Sequence, residues 1–288
     1  LRRQRQMCIR DRVLGEAILI TNTNVQEQDL KLKVIEVDSE ADTQTIIYDA
    51  VTVRDEQGSQ DTYGVDFGDG GIELDPDNTY AFVLEYTGDT KVDLRGFTLA
   101  DQQGNTLFSL NEYPTGGDDV QMSGSQSDPA TYDGVIYVVE GDGSSFTVTD
   151  VIGYDIAEDG TLVLLDSTKG EPAFDLDLSL LTADNPDVAG DQDMIEGTIT
   201  GLDISGEQGE GNIVTLSPAD VLDLTDAADG GDVTFTITGD TNDMVNLPTG
   251  EWAPSPISPE GYESYTGTVG DSTVTLLVET EVQVNMVP

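Results

Sequence analysis

The 288-residue chain has no histidine, one cysteine, one tryptophan and only 11 Lys+Arg residues. Each shortage removes a class of chemistry. Without histidine there is no serine–histidine triad, no imidazole general base and no ordinary zinc site. The lone cysteine, Cys8, falls in an opening segment that reads as foreign, so neither a disulfide framework nor thiol chemistry is expected. Eleven bases against 57 Asp+Glu give a formal net charge of −46. Nucleic acids and anionic membrane surfaces both demand Lys and Arg, so neither is an expected partner. No apolar run approaches the ~20 residues of a membrane span, and no signal peptide is visible. The sequence also lacks G-x-S-x-G, a phosphate-binding glycine loop and H-E-x-x-H. Paired carboxylates suited to glycoside hydrolysis arise by chance among so many acids. The chain is therefore expected not to be an enzyme.

The bases that are present are oddly placed. Five of the 11 lie in the opening "LRRQRQMCIRDR". Written back into codons, Arg2 to Asp11 resembles a translated sequencing adaptor, and Arg12 begins with the adaptor's last bases. A basic arm would need charge but not this order of residues. Residues 1–12 are accordingly expected to be a non-native artefact, and fold reasoning begins at Val13.

Acidity of this degree suits two settings: a salt-saturated cytoplasm, or a calcium-rich extracellular space where carboxylates bind hard cations. Asp outnumbers Glu by 38 to 19. Asp suits turns and short calcium loops because its carboxylate lies close to its own backbone. The composition thus leans towards the extracellular setting.

Strand signals dominate. "LKLKVIEV" (Leu30 to Val37), "TYAFVLEY" (Thr79 to Tyr86), "GVIYVVE" (Gly134 to Glu140), "TLVLLD" (Thr161 to Asp166), "VTFTIT" (Val233 to Thr238) and "STVTLLVETEVQV" (Ser272 to Val284) are rich in β-branched and aromatic residues. Gly/Asp turns separate them. The pattern predicts an all-β chain of tandem β-sandwich-like domains. Polar stretches at 111–134 and 182–193 divide it into a β-sandwich over 13–112, a β segment with an acidic linker over 113–194, and a C-terminal β domain over 195–288. One short helix is expected near 217–224, with Ser217 as cap, Pro218 in the first helical position and Asp220 three residues after the cap. Val221, Leu222 and Leu224 would face the core.

Three acidic groups are candidate metal ligands. Asp184, Asp187, Asp191 and Asp193 sit in "DNPDVAGDQD", where mutual repulsion invites a cation. Calcium takes six to eight oxygens, and such a loop can supply several; a solvated acidic linker is the competing reading. Asp240 and Asp243 in "GDTND" form the second group, with a tight turn as the simpler account. Asp66, Asp69, Asp75 and Asp77 form the third, and there the turn reading is preferred. Among aromatics, Tyr63, Phe67, Tyr80, Phe82 and Tyr86 are candidates for a carbohydrate-binding face, although Tyr80, Phe82 and Tyr86 alternate with Leu84 as core residues do. Trp252, Tyr262 and Tyr265 read as core and hairpin-pairing residues.

The most specific native stretch is Leu216 to Val284: "LSPADVLDLTD", "VTFTITGDTNDMVNL", "GEW", "GYESYTG" and "STVTLLVETEVQV". It resembles a C-terminal module of large, type I-secreted bacterial surface adhesins of the RTX and biofilm-associated type. The likeness runs through Ser217, Asp220, Val221, Leu222, Leu224 and Asp226, then Gly239, Asp240, Asp243, Val245 and Leu247. Gly250, Trp252, Gly261, Tyr262, Tyr265 and Thr275 to Val278 complete it. The proline-rich "APSPISPEG" after Trp252 departs from that pattern. The resemblance implies an extracellular, cell-surface protein acting as a structural or adhesive element, with Ca2+ as cofactor and surface or matrix components, carbohydrate included, as partners. A carbohydrate-binding module of a secreted hydrolase and a halophile envelope protein are the alternatives.

Overall fold

The computed structural model describes residues 13–21, 30–38, 43–51, 53–54, 61–67, 71–75, 77–86, 92–101, 106–109, 120–122, 134–141, 146–166, 173–182, 199–206, 211–225 and 231–288. The chain divides into two compact units, Leu1–Thr149 and Asp150–Pro288. The segment expected as a middle piece, 113–194, contributes strands to both units. Strands dominate, and the all-β class read from the sequence holds.

One strand, Phe146–Ile156, crosses the boundary at Thr149, and eleven strands among the described residues lie wholly within the first unit. They are β1 (Val13–Thr21), β2 (Leu30–Asp38), β3 (Thr43–Val51), β4 (Val53–Arg54), β5 (Asp61–Asp66), β6 (Ile72–Glu73), β7 (Thr79–Tyr86), β8 (Val92–Asp101), β9 (Thr106–Ser109), β10 (Val120–Met122) and β11 (Gly134–Gly141). One sheet runs β10-β8-β1-β5-β4, with β6 joined to β1 and β9 to β8. The second contains β3, β2, β7 and β11, all paired antiparallel. Tyr80 to Leu84 on β7 and Val135 to Val139 on β11 are buried along their length. A strand covered on both faces reads as a continuous apolar run, which explains why "AFVL" and "VIYVV" do not alternate.

The second unit has a different connectivity. It holds β12 (Phe146–Ile156), β13 (Thr161–Asp166), β14 (Asp175–Asp177), β15 (Gly201–Asp203), β16 (Ile213–Thr215), α1 (Pro218–Leu224), β17 (Val233–Thr238), β18 (Met244–Pro248), β19 (Ala253–Pro254), β20 (Tyr262–Val269), β21 (Ser272–Glu279) and β22 (Gln283–Val287). The β12–β13 and β20–β21 hairpins are antiparallel. Between them, β13, β15, β17 and β21 pair in parallel, each with the next. So do β14, β16, β18 and β22 in a separate four-stranded sheet. Parallel neighbours require a long crossover, and here each crossover passes through the other sheet. The chain therefore winds as a coil, each turn laying one parallel strand in each sheet, with β19 and β20 added antiparallel before β21.

Stacking in register produces two apolar columns. Leu162, Leu202, Ile237 and Val278 align in the first sheet, and Leu176, Val214, Val245 and Val284 in the second. All but Val284 are fully buried. Burying one face of each sheet is the favourable term that holds the coil together. A polar column, Thr215–Asn246–Asn285, runs along the second sheet. Asn246 Nδ2 donates to Thr215 Oγ1 at 3.3 Å and Asn285 Nδ2 to Asn246 Oδ1 at 3.1 Å.

The helix is the one expected. Ser217 Oγ accepts from the Asp220 N–H, and Asp220 Oδ2 accepts from the Ser217 N–H at 2.6 Å, a reciprocal capping box. Val221 and Leu224 are buried, and Leu222 is half-buried.

Candidate functional site

The candidate pair Asp240 and Asp243 lies on the corner between β17 and β18. The two residues behave differently: Asp240 is exposed, and Asp243 has 0% exposure. Asp243 Oδ1 accepts the Asn212 N–H at 2.9 Å, and its Oδ2 accepts the Asp240 N–H at 2.5 Å. Its own N–H donates to the Asp240 carbonyl, and its carbonyl accepts from the Gln283 N–H at 2.8 Å. Through its carboxylate and its backbone carbonyl together, this one residue ties three successive turns of the coil. Burial pushes the Asp243 carboxyl above its ordinary value of 3.8. The two N–H donors act in the opposite direction, and the nearby carboxylates of Asp240 and Asp203 add to the rise.

The neighbours show why the local sequence is what it is. A Cβ on Gly239 would lie 2.8 Å from both Asp243 Oδ2 and Ile204 Cγ1, so glycine is the residue that fits. Asn212, with 1% exposure, donates from Nδ2 to the Ile204 carbonyl at 2.8 Å. Its Oδ1 is buried and has no hydrogen-bond partner among the described residues. Asp203 Oδ1 accepts from the Ser205 hydroxyl at 2.7 Å and the Ser205 N–H at 3.0 Å. The corner is chiefly a device for satisfying buried backbone amides, as the turn reading supposed. Among the described residues no three acidic side chains are placed to share a metal ion.

Asp220 is a second buried carboxylate. Besides the capping box it accepts the Thr182 hydroxyl on Oδ1 at 3.2 Å. Burial raises its pKa, and the bonds from Ser217 and Thr182 partly offset that rise.

In the first unit, Asp75 and Asp77 form a local turn, the Asp77 N–H donating to Asp75 Oδ1 at 3.0 Å. Beside it the Tyr80 hydroxyl donates to Glu36 Oε1 at 2.6 Å and accepts the Asp75 N–H at 2.6 Å. Asn78 Nδ2 donates to the same Glu36 oxygen. Burial, then the bond to Glu36, drives the Tyr80 pKa far above its ordinary value, so the hydroxyl stays a donor. Asp66 pairs with Glu16 through its backbone in β5. Asp69, and all of Asp184, Asp187, Asp191 and Asp193, lie outside the described residues.

The aromatic candidates divide similarly. Tyr80 and Phe82 are fully buried, as the core reading of β7 requires. Phe67 is half-buried, and the side chains of Tyr63 and Tyr86 lie outside the described ones. Trp252 is buried and donates from Nε1 to the Leu216 carbonyl at 3.0 Å, pinning the entry to α1. Tyr265 is buried along its ring while its hydroxyl donates to Glu263 at 2.7 Å. Tyr262 is half-buried. The proline-rich loop after Trp252 is largely exposed.

Sequence reasoning missed Asn212, Asp203, Thr182 and Glu36. Asn212, Thr182 and Glu36 bond to partners distant along the chain, and Asp203, bonded locally to Ser205, reaches the corner only through its charge on Asp243, so no local motif marks them. Comparisons of the chain with protein-family models, with curated proteins and with solved structures find no match. No helix among the described residues is long and apolar enough to cross a membrane.

Proposed function

We propose that the chain is a non-enzymatic, extracellular structural or adhesive part of a large secreted bacterial surface protein. The observation that carries this reading is the ordered motif from Leu216 to Val284 and the use to which its side chains are put. Ser217, Asp220, Gly239, Asp243 and Trp252 are all engaged in holding the coil together. A motif whose distinctive residues build scaffold favours a structural role over catalysis. Calcium would act on the acidic surface, with Asp184, Asp187, Asp191 and Asp193 as its first candidates. At a net charge of −46, carboxylates repel until cations neutralise them. The carbohydrate-binding alternative loses two of its candidate platform residues, because Tyr80 and Phe82 are buried.

The test is thermal unfolding of the 288-residue chain in calcium, in magnesium and in chelator at fixed ionic strength. A melting temperature raised by micromolar to millimolar calcium alone supports the calcium-bound surface element. An equal response to magnesium or to plain salt sinks the calcium sites and favours a screened, halophile-type surface.

A further inference from the structure

The two edges of the parallel four-stranded sheet are treated differently. At one edge, β14 reads Asp-Leu-Asp, with both aspartates exposed. Its Asp175 N–H is occupied by Asp150 Oδ1 at 3.2 Å. Partial desolvation of the otherwise exposed Asp175 carboxyl, then the charges of Asp150 and Asp177, raise its pKa. That edge is guarded, as sheet edges commonly are, by charge and by a side chain bonded to the backbone.

The opposite edge is β22, "QVNMV", which carries no charge in a chain with 57 acidic residues. The Gln283 N–H donates to the Asp243 carbonyl and the Val287 carbonyl accepts the Thr249 N–H. Residues 283, 285 and 287 therefore direct their amides towards β18. Amide direction alternates along a strand, so Val284 and Met286 present N–H and C=O to the outer side, where no strand among the described residues pairs with β22. The apolar column is open there too. Leu247 is fully buried, whereas Met286, its register partner one strand outward, is 42% exposed. In the first sheet the corresponding end is covered, because β20 and β19 continue beyond β21.

We propose that β22 pairs antiparallel with β22 of a second copy of this chain, about a two-fold axis through Asn285. The strand is self-complementary in that register. Val284 stands opposite Met286 of the second copy, and each such pair exchanges both of its amide hydrogen bonds. A two-fold axis normal to the sheet keeps the face of every side chain, so Met286 of one copy covers the open apolar column of the other. Within residues 283–287, pairing the strand with itself brings no charged side chains together. The guarded β14 edge offers neither free amides at Asp175 nor neutral side chains, which favours self-pairing over an open head-to-tail array. The long-range repulsion between two strongly acidic chains opposes association and is weakened by salt.

The measurement is sedimentation equilibrium of the full chain over a wide concentration range, at about 0.05 M and about 0.5 M NaCl. A dimer is expected, tighter at high salt. Val284→Pro removes an outward N–H without touching the β18 ladder, and Met286→Lys places a charge on the edge. Each is expected to weaken the dimer by roughly tenfold or more while leaving the melting temperature of the monomer within a few degrees. A chain that stays monomeric at high salt overturns the proposal. So does a dimer that both variants form as well as the parent, or growth into open-ended oligomers.

Discussion

Asp243 shows what one buried carboxylate does when its partners are amides rather than cations. It accepts from two N–H groups on different turns of the coil and is shut off from water. Asn in its place keeps one acceptor oxygen but turns an NH2 group towards the other N–H. Asp243→Asn is therefore expected to cost about 1–3 kcal/mol at neutral pH, read as a shift in the urea midpoint. The sign of the pH dependence follows from the raised carboxyl. A folded-state pKa above 3.8 means the folded chain binds the proton more readily than the unfolded one. The Asp243 contribution to stability is thus largest below 3.8 and is lost as pH rises through the raised folded value. The parent should gain stability over the variant as pH falls through that window; a gap that stays constant or narrows would count against the assignment. "GDTND" was legible as a tight turn, since Gly and Asp announce one. Its burial was not, because Asn212 and Gln283 arrive from distant turns of the coil.

At the scale of elements, the helix and the hairpins were the readable parts. Ser217, Pro218 and Asp220 carry a start signal in consecutive sequence, and α1 begins where that signal places it. Ser217→Ala should cost about 1 kcal/mol by denaturant unfolding, and Ser217→Asp should recover most of it. Equal stability of all three chains would mean that the Trp252 and Thr182 contacts hold the helix without its cap. The direction of strand pairing was not legible. Alternation reports which face a residue takes but not whether its neighbour runs parallel. Three-residue strands such as β15 and β16 fall below any periodicity signal, and they are what convert a stack of two sheets into a coil. The continuous apolar runs of β7 and β11 were readable as strands, while their cover on both faces became visible only in the assembled sheet.

At the scale of the whole molecule, acidity and coiling meet in time. Each rung of the second unit meets the next only after a full turn of chain has been laid down, so no rung can be built from neighbours in sequence. The exceptions are the hairpins β12–β13 and β20–β21, which close locally and stand at either end of the parallel run. Non-local pairing of this kind is slow, on the order of milliseconds to seconds, because loop entropy is lost before contacts form. The two hairpins should therefore gain amide protection first in pulse-labelled refolding, and β15 and β16 last. Early protection of β15 or β16 would reverse that order. The same architecture makes the unit a clock: its native state waits on the arrival of its last strand, and until then the acidic chain is kept apart from itself by its own charge.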